Sequence, residues 1–556
     1  MSEDNKSPWS FFSSDVLQKY IGENILNQLS FFLPLLRKDN FNDSNIYKKK
    51  NLSLIFNSFS GPDLLEKKKF RNDFFSSLSD EILIKLHKST PILNEKYNRA
   101  LVIEALANIK WEKNVTTVNI CKILNIDINL LPEDSVPFPL IENDFEIIGP
   151  FKQLKKYQFP VVSDALESLK IAAKRFIIQM PTGSGKTRVA MEIISQYLND
   201  QKSEKPITIV WLAHQKELCA QAYQCFIEVW SHLKNTNLSL YRLWDEGDDA
   251  QLPSALVNNS FIIGNFQKIF SELNKSPQKY NQIKKNVDLI IIDEAHKAIA
   301  PTYKEVINTL ASSTTQIVGL TATPGRSLKN DLENEKLSNF FHDTKIEIQG
   351  KNIITYLRNE KVLSKAIYEP IITEEKITLS PKQKKYIEEF YELPKDIIDK
   401  LSQSNLRNFE ILKRIDKIIH EEPNSKILFF ALDINHSKFV CAILNTIGIN
   451  AGHVDGKTSR NRRANLLKDF KMGKLKVLCN ERLMSTGFDA PKTDTIIIAK
   501  PTFSIVLYSQ IIGRGLRGPA IGGTEYCKII DVKDNIQGYS DLDLVYEYFD
   551  EYFVKN

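Results

Sequence analysis

Two successive series of short apolar runs, rich in β-branched residues, constrain this chain more than any other feature. The first series occupies residues 175–179, 207–213, 261–264, 289–293 and 316–322, and the second residues 426–431, 476–480, 495–499 and 526–531. Short apolar runs separated by amphipathic stretches predict strands buried on both faces, as found in parallel sheets covered by helices. Between the first two runs, Val189, Ala190, Ile193, Ile194, Tyr197 and Leu198 repeat at helical spacing. The expected fold is therefore α/β, with two parallel-sheet units in tandem. A cleft between two such units is where ligands collect.

The flanking segments read differently. Residues 1–145 are rich in Phe, Leu, Asn and Lys and lack strong strand runs, which predicts a mainly helical accessory domain. Ile82, Leu83 and Leu86, then Ala100, Leu101, Ile103 and Leu106, keep helical spacing on either side of Pro91. Residues 116–124 have some helix-turn-helix character, although apolar helices of this kind also serve as core. A polar, Lys/Glu-rich zone at 327–425 carries no strong strand signal and reads as a connection with long helices. The expected division is an accessory domain at 1–145, a first α/β unit at 146–355, a second at 356–540 and a C-terminal helical tail at 541–556.

Bulk properties exclude several classes. The net charge, 74 − 68 = +6, is too mild to imply a polyanionic partner, so nucleic acid must be argued from motifs. Six cysteines contain no C-x-x-C pair and several lie in apolar runs, which predicts buried thiols rather than a zinc site or disulfide framework. The first ten residues are acidic and polar, and no apolar stretch approaches the ~20 residues that span a bilayer. A cytoplasmic protein with no membrane partner is expected.

Met180-Pro-Thr-Gly-Ser-Gly-Lys-Thr187 follows the run 175–179 and opens the first helical repeat. A strand, a glycine-rich turn and a helix in that order make a phosphate-binding loop. Pro181, Thr182, Gly183, Ser184 and Gly185 form the cradle, and the two glycines let backbone N–H groups turn toward phosphate oxygens. Lys186 reaches the β- and γ-phosphates, and the Thr187 hydroxyl ligates Mg²⁺. Met180 stands where the usual pattern has its first glycine. Further on, Asp293-Glu294-Ala295-His296 ends an apolar run, which places its acids at the carboxyl edge of a parallel sheet. Asp293 is read as the Mg²⁺ ligand, and Glu294 as the group that orients or deprotonates the attacking water.

Together these motifs resemble those of the superfamily 2 helicases, and the D-E-A-H spelling marks the DEAH-box-type branch. The resemblance runs over roughly residues 154–534 and implies two RecA-like domains that bind ATP and Mg²⁺ between them. It makes Gln158 the adenine-reading glutamine, whose amide can bond both N6 and N7 of adenine. It assigns residues 211–218 and 264–267 to the nucleic-acid backbone, and 321–326 to the coupling of hydrolysis to strand movement. In the second unit, Val454-Asp-Gly456, residues 460–470, Ser485-Thr-Gly-Phe-Asp-Ala-Pro491 and Gln510-Ile-Ile-Gly-Arg-Gly-Leu-Arg517 resemble the later motifs of the family. They place Gly487 and Asp489 at the nucleotide and make Arg514 and Arg517 arginine fingers. Spaced three apart, the two arginines are expected on one face of a helix.

The wording is closest to RadD-type, XPB-like and UvsW-type enzymes and to restriction motors, which mostly act on DNA. The zinc-binding cysteines of RadD-type proteins have no counterpart after Asp534. The implied function is an ATP-dependent DNA helicase or translocase in genome maintenance or anti-phage defence. Its implied partner is nucleic acid; residues 1–145 match none of these relatives and are expected to pack on the motor or on a partner protein. The alternatives are an RNA-remodelling ATPase and a non-hydrolysing nucleotide-dependent scaffold. Lys186, Asp293, Glu294, Arg514 and Arg517, all retained, argue against the scaffold.

Overall fold

The computed structural model describes residues 8–36, 46–59, 61–89, 97–128, 131, 141–142, 151–171, 173–200, 205–234, 236–244, 258–275, 287–323, 331–390, 392–481 and 492–537. Among them, the chain opens with helices α1 (Ser14–Ile21), α2 (Glu23–Leu36), α3 (Lys49–Phe59), α4 (Lys68–Ser76), α5 (Asp80–Ser89), α6 (Arg99–Asn108) and α7 (Val115–Leu124). Aromatic rings hold them together: Trp9 meets Phe56 at 5.1 Å and Phe12 meets Phe74 at 5.3 Å between centroids. The buried Arg71 donates through Nε to Ala107 O at 3.1 Å and through Nη1 to Leu65 O at 2.7 Å, so backbone carbonyls hold its guanidinium. A capping box starts α7: Asn114 Oδ1 accepts from Thr117 N at 3.0 Å while Thr117 Oγ1 accepts from Asn114 N at 3.1 Å. Thr117, Ile120, Cys121 and Leu124 then bury one face of that helix in the core.

The first unit comprises β1 (Ile141–Glu142), α8 (Gln158–Ser168), β2 (Arg175–Gln179), α9 (Lys186–Asp200), β3 (Thr208–Ala213), α10 (Lys216–Leu233), β4 (Leu238–Leu243), β5 (Asn259–Asn265), α11 (Phe266–Lys275), β6 (Val287–Asp293), α12 (Pro301–Leu310), β7 (Gln316–Thr321), α13 (Asp331–Phe340), β8 (Lys345–Glu347) and α14 (Ile353–Asn359). The strand order is β1-β4-β5-β3-β6-β7-β2-β8, with every pairing parallel except β1 on β4. Strands β3 and β7 are buried at every position, because helices cover both faces. α14 runs across residues 355 and 356, and its Ile354 and Leu357, with Val362 and Leu363 beyond it, pack into the first core.

The second unit contains β9 (Lys365–Tyr368), β10 (Ile371–Thr378), α15 (Pro381–Phe390), α16 (Lys395–Ser402), α17 (Asn405–Glu421), β11 (Ile427–Phe430), α18 (Ile434–Thr446), β12 (Ala451–Val454), α19 (Arg460–Lys471), β13 (Val477–Asn480), β14 (Thr495–Ile498), α20 (Ile505–Ile512) and β15 (Tyr526–Gln537). Its strands run β10-β15-β14-β11-β13-β12 in parallel, with β9 also beside β15. A fully buried ion pair ties its layers: Arg407 Nε meets Asp534 Oδ1 at 2.9 Å, and Thr373 Oγ1 donates to the same oxygen at 2.7 Å.

The N-terminal helices share one apolar cluster with this second unit. Phe32 meets Phe439 of α18 edge to face at 5.4 Å, and Asn445 Nδ2 donates to Ser58 Oγ at 3.1 Å. β1, which follows those helices in the chain, instead borders the first sheet, with Ile141 opposite Leu240.

Two expectations need correction. The zone 327–425, read as a connection with long helices and no strong strands, supplies β8, β9 and β10. These strands lie near sheet borders and expose alternate charged side chains, so they form no apolar run. β4 and β12 also went unpredicted: L-S-L-Y-R-L alternates in polarity and A-G-H-V is too short to stand out. The tail expected at 541–556 lies outside the described residues.

Candidate active site

The loop between β2 and α9 turns where the glycines were expected to let it. Gly183 and Gly185 have φ of 84° and 88°, a region that costs any residue with a Cβ. A Cβ at Gly185 would also lie 2.6 Å from Gln158 Nε2. Met180, the departure from the usual pattern, is buried in the first core, so a large apolar side chain is accommodated there. The loop is braced from below: Tyr157 OH donates to Ser184 O at 2.7 Å and Gln158 Nε2 to the same oxygen at 3.1 Å. Gln158 Oε1 accepts from Lys155 N at 2.8 Å. The Gln158 amide, read as reaching for adenine, is thus bonded once at each end by the chain itself and braces the phosphate loop. Lys186 Nζ donates to Met180 O at 3.1 Å. Thr187 lies in the first turn of α9.

Asp293 closes β6, and Glu294 beyond it takes a left-handed conformation, φ 54° and ψ 54°. For a residue with a Cβ this costs on the order of 1 kcal/mol, and it turns the chain sharply at the carboxyl edge of the sheet. Glu294 N donates to Asp293 Oδ1 at 3.0 Å, and Glu294 Oε2 lies 3.4 Å from His296 Nδ1. Gly319 of β7 makes room for this turn, since a Cβ there would sit 2.7 Å from that of Ala295. Burial raises the Asp293 carboxyl well above the usual range and the Glu294 charge adds to it, while Lys186 and Arg514 pull it down. Burial lowers the Lys186 ammonium, against the attraction of Glu294 and Asp293.

The second unit brings Arg514 to these acids. Burial lowers its guanidinium to about 10, and Glu294 and Asp293 oppose that shift. The two arginines do not share a helix face. α20 ends at Ile512; Arg514 lies in the turn that follows, and Arg517 forms a bridge with Leu363. Gly513 and Gly515 end the helix early, and a Cβ on Gly515 would meet Cys527 Sγ at 2.2 Å. Arg517 nonetheless lies beside the loop, its Cγ 4.0 Å from where a Gly183 Cβ would stand. Thr182 Oγ1 lies 3.2 Å from Ser509 Oγ of α20. Elsewhere along the cleft, Glu217 at the start of α10 pairs with Arg463 of α19.

Residues 151–326 match the family of type III restriction enzyme res subunits, and residues 410–518 match the helicase conserved C-terminal domain. The chain belongs to the superfamily 2 helicases. It is 26% identical over 385 residues to a protein of Saccharomyces cerevisiae assigned as the ATP-dependent helicase IRC3, covering 68% of this chain and 51% of the relative. The chain thus spans about half the length of that relative. The DNA 3'-5' translocase XPB2 of Sulfurisphaera tokodaii is 25% identical, covering 71% of this chain and 84% of that one. Among solved structures, the ATP-dependent Type ISP restriction-modification enzyme LlaBIII bound to DNA aligns with a TM-score of 0.51 and 17% identity, over 73% of this chain and 30% of that one. That likeness concerns the fold.

In this superfamily 2 helicase, then, the structure brings together Lys186, Asp293, Glu294 and Arg514, with Thr187 at the loop's end. Gly487 and Asp489 lie outside the described residues, as does Arg326. Sequence reasoning missed the loop braces of Tyr157 and Gln158, His296 as the neighbour of Glu294, and Ser509. Tyr157-Gln158 was singled out for adenine, and that reading gave no sign of the bonds to Ser184 O. Ser509 lies 327 residues from Thr182, and no local pattern announces such a contact.

Proposed function

We propose that this chain is a Mg²⁺–ATP-dependent motor that moves along DNA as a helicase or translocase. The carrying observation is that the phosphate loop and α20 meet in one cleft, Thr182 Oγ1 3.2 Å from Ser509 Oγ, with Lys186, Asp293 and Glu294 of the first unit and Arg514 of the second near enough for their charges to interact. The donor set fits the nucleotide and its ion. The left-handed glycines give the loop the backbone turn that a phosphate cradle needs, and a hydroxyl and a carboxylate, Thr187 and Asp293, are the hard oxygen ligands that Mg²⁺ prefers. When bound, the ion supplies positive charge beside the β- and γ-phosphate oxygens.

The chain's own residues account for the remainder. Glu294 takes a proton from the water whose oxygen bonds to the γ-phosphorus as the bond to the β–γ bridging oxygen breaks. Arg514 meets the charge on the transferring group, so hydrolysis requires the second unit to be in place. Movement of the two units through each cycle shifts their grips on the polymer. DNA as the track is supported by the DNA translocase among the relatives, and genome maintenance or anti-phage defence by the resemblance to repair and restriction motors. The six free thiols support a cytoplasmic setting. Among the described residues no helix is long and apolar enough to cross a membrane. The N-terminal helices, docked on the second unit, are the candidate surface for a partner protein.

The deciding experiment measures ATPase activity with double-stranded DNA, single-stranded DNA and RNA over a range of salt. DNA should stimulate it most, and affinity should fall with a log–log slope of about −0.7 to −0.9 per phosphate gripped. Stimulation by RNA alone would assign the motor to RNA, and absence of turnover with every polymer would leave only a nucleotide-binding scaffold.

A further inference from the structure

α20 meets the phosphate loop at two points. Ser509 Oγ lies 3.2 Å from Thr182 Oγ1 in the interface between the units, where Ser509 is buried and Thr182 half-buried. Four residues along, and so one turn higher on the same side of the helix, Gly513 leaves a notch that the Thr182 side chain fills. A Cβ on Gly513 would lie 2.0 Å from Thr182 Cγ2 and 2.6 Å from Thr182 Cβ. Thr182 is thus both the hydrogen-bonding partner of α20 and the wedge seated against it.

The rest of the helix is pinned elsewhere. Ser504 Oγ caps its start by accepting from Leu507 N at 3.3 Å, and Tyr508 OH donates to Asp531 Oδ2 of β15 at 2.7 Å. Beyond the arginines, Ser364 N donates to Leu516 O at 3.1 Å and Gly518 N to Val362 O at 2.8 Å. Those contacts hang the segment after Arg514 on a connector whose Val362 and Leu363 belong to the first core. Arg514 therefore lies between two anchors on the first unit: Thr182, five residues before it on its partner Ser509, and the connector, two to four residues after it.

We infer that Ser509 is a positioning residue for hydrolysis: through Thr182 it sets the register of α20 against the phosphate loop and so the place at which Arg514 arrives. The inference rests on the ATP-hydrolysing reading above. A helix free to slide or turn on its seat leaves Arg514 attached at one end alone, and misplacement by about 1 Å is enough to cost a large part of a rate that depends on aligned charge. Ser509 acts through the loop and the arginine. The binding of ATP depends on Lys186 and the glycines of the first unit, which Ser509 leaves in place.

The test compares Ser509→Ala and Ser509→Thr in steady-state ATPase assays with saturating polymer, beside direct titration of a fluorescent ATP analogue. Ser509→Ala should lower kcat about fivefold, the factor that one neutral hydrogen bond is worth, with KM and analogue affinity changed less than about twofold. Ser509→Thr, which keeps the hydroxyl, should restore most of the rate. Placed in an Arg514→Ala background, Ser509→Ala should have no further effect, because the residue it positions is gone. Ser509→Ala at the wild-type rate overturns the inference, as does an equal loss with and without Arg514. A wild-type chain inactive with every polymer overturns this inference and the proposed function together, whereas an active wild type with an unaffected Ser509→Ala overturns this one alone.

Discussion

Lys186 Nζ donates to the carbonyl oxygen of Met180 at 3.1 Å, so the loop's own cation is turned back onto the loop that carries it. That bond holds the ammonium at the mouth of the cradle, and phosphate must draw it away. Removing the side chain leaves the β- and γ-phosphates without the loop's one side-chain cation. Lys186→Ala should abolish measurable turnover and weaken binding of a fluorescent ATP analogue by about tenfold or more, the expected scale for a charge-assisted bond. Unchanged affinity would show that the cradle's N–H groups alone hold the nucleotide.

Glu294 has a role separable from binding. Gln keeps its shape and its left-handed backbone while removing the base, so Glu294→Gln should bind the analogue within about twofold of wild type and lose about a hundredfold or more in kcat. Wild-type turnover in this variant would sink the assignment.

The two arginines should not be equivalent. The charges of Glu294 and Asp293 act on Arg514, whereas burial alone accounts for the lowered Arg517 guanidinium. Arg514→Ala should slow hydrolysis by roughly a hundredfold, within the range of an electrostatic group acting on the transition state, and Arg517→Ala by less. Equal losses measured by kcat under saturating ATP would remove the distinction.

Asp531 gives the chain a pH dependence of stability. Burial raises its carboxyl from 3.8 to about 7, and its Oδ2 accepts from Tyr508 OH at 2.7 Å. A carboxyl with a raised folded pKa holds its proton more tightly when folded, so its ionisation opposes folding. The cost is absent below about pH 4, grows between about 4 and 7 and is complete above that, amounting to at most a few kcal/mol. Asp531→Asn should therefore gain stability over wild type at pH 8 and lose most of that advantage at pH 4.5, as read by urea unfolding. An advantage equal at both pH values would exclude the titration of Asp531 as its cause.

Phe32 packs on Phe439 across the join between the N-terminal helices and the second unit. Phe32→Ala should cost about 3–5 kcal/mol if that joint core unfolds as one body, and deletion of residues 1–145 should leave a chain that aggregates. A truncated chain that stays monomeric, with an unchanged melting temperature, would show that the second unit stands alone.

How much of this was legible follows from the range of each constraint. The phosphate loop could be read because strand, glycines, lysine and helix start are contiguous, and each type answers to a local requirement. Asp293 and Glu294 could be read because an apolar strand delivers them to a sheet edge. Arg514 was found by its motif but misplaced, since the helix stops at Ile512 to fit Gly513 against Thr182 and Gly515 against Cys527. Gln158 was found by its motif, but nothing in the sequence says that its amide would also bond Ser184 O. β8, β9 and β10 escaped because a strand with one wet face shows alternation, which a search for apolar runs passes over.

The shared core of the N-terminal helices and α18 sets the order of synthesis against the order of assembly. The helices leave the ribosome first, and α18 follows roughly 400 residues later, an interval of about 20–80 s at ordinary elongation rates. Trp9, Phe12, Phe56 and Phe74 let the early segment condense on itself, but the ring of Phe32 has no second-unit partner until Phe439 is made. Throughout translation of the first unit the nascent chain thus carries an open apolar face, and during that time a chaperone has a binding site that the finished protein no longer shows.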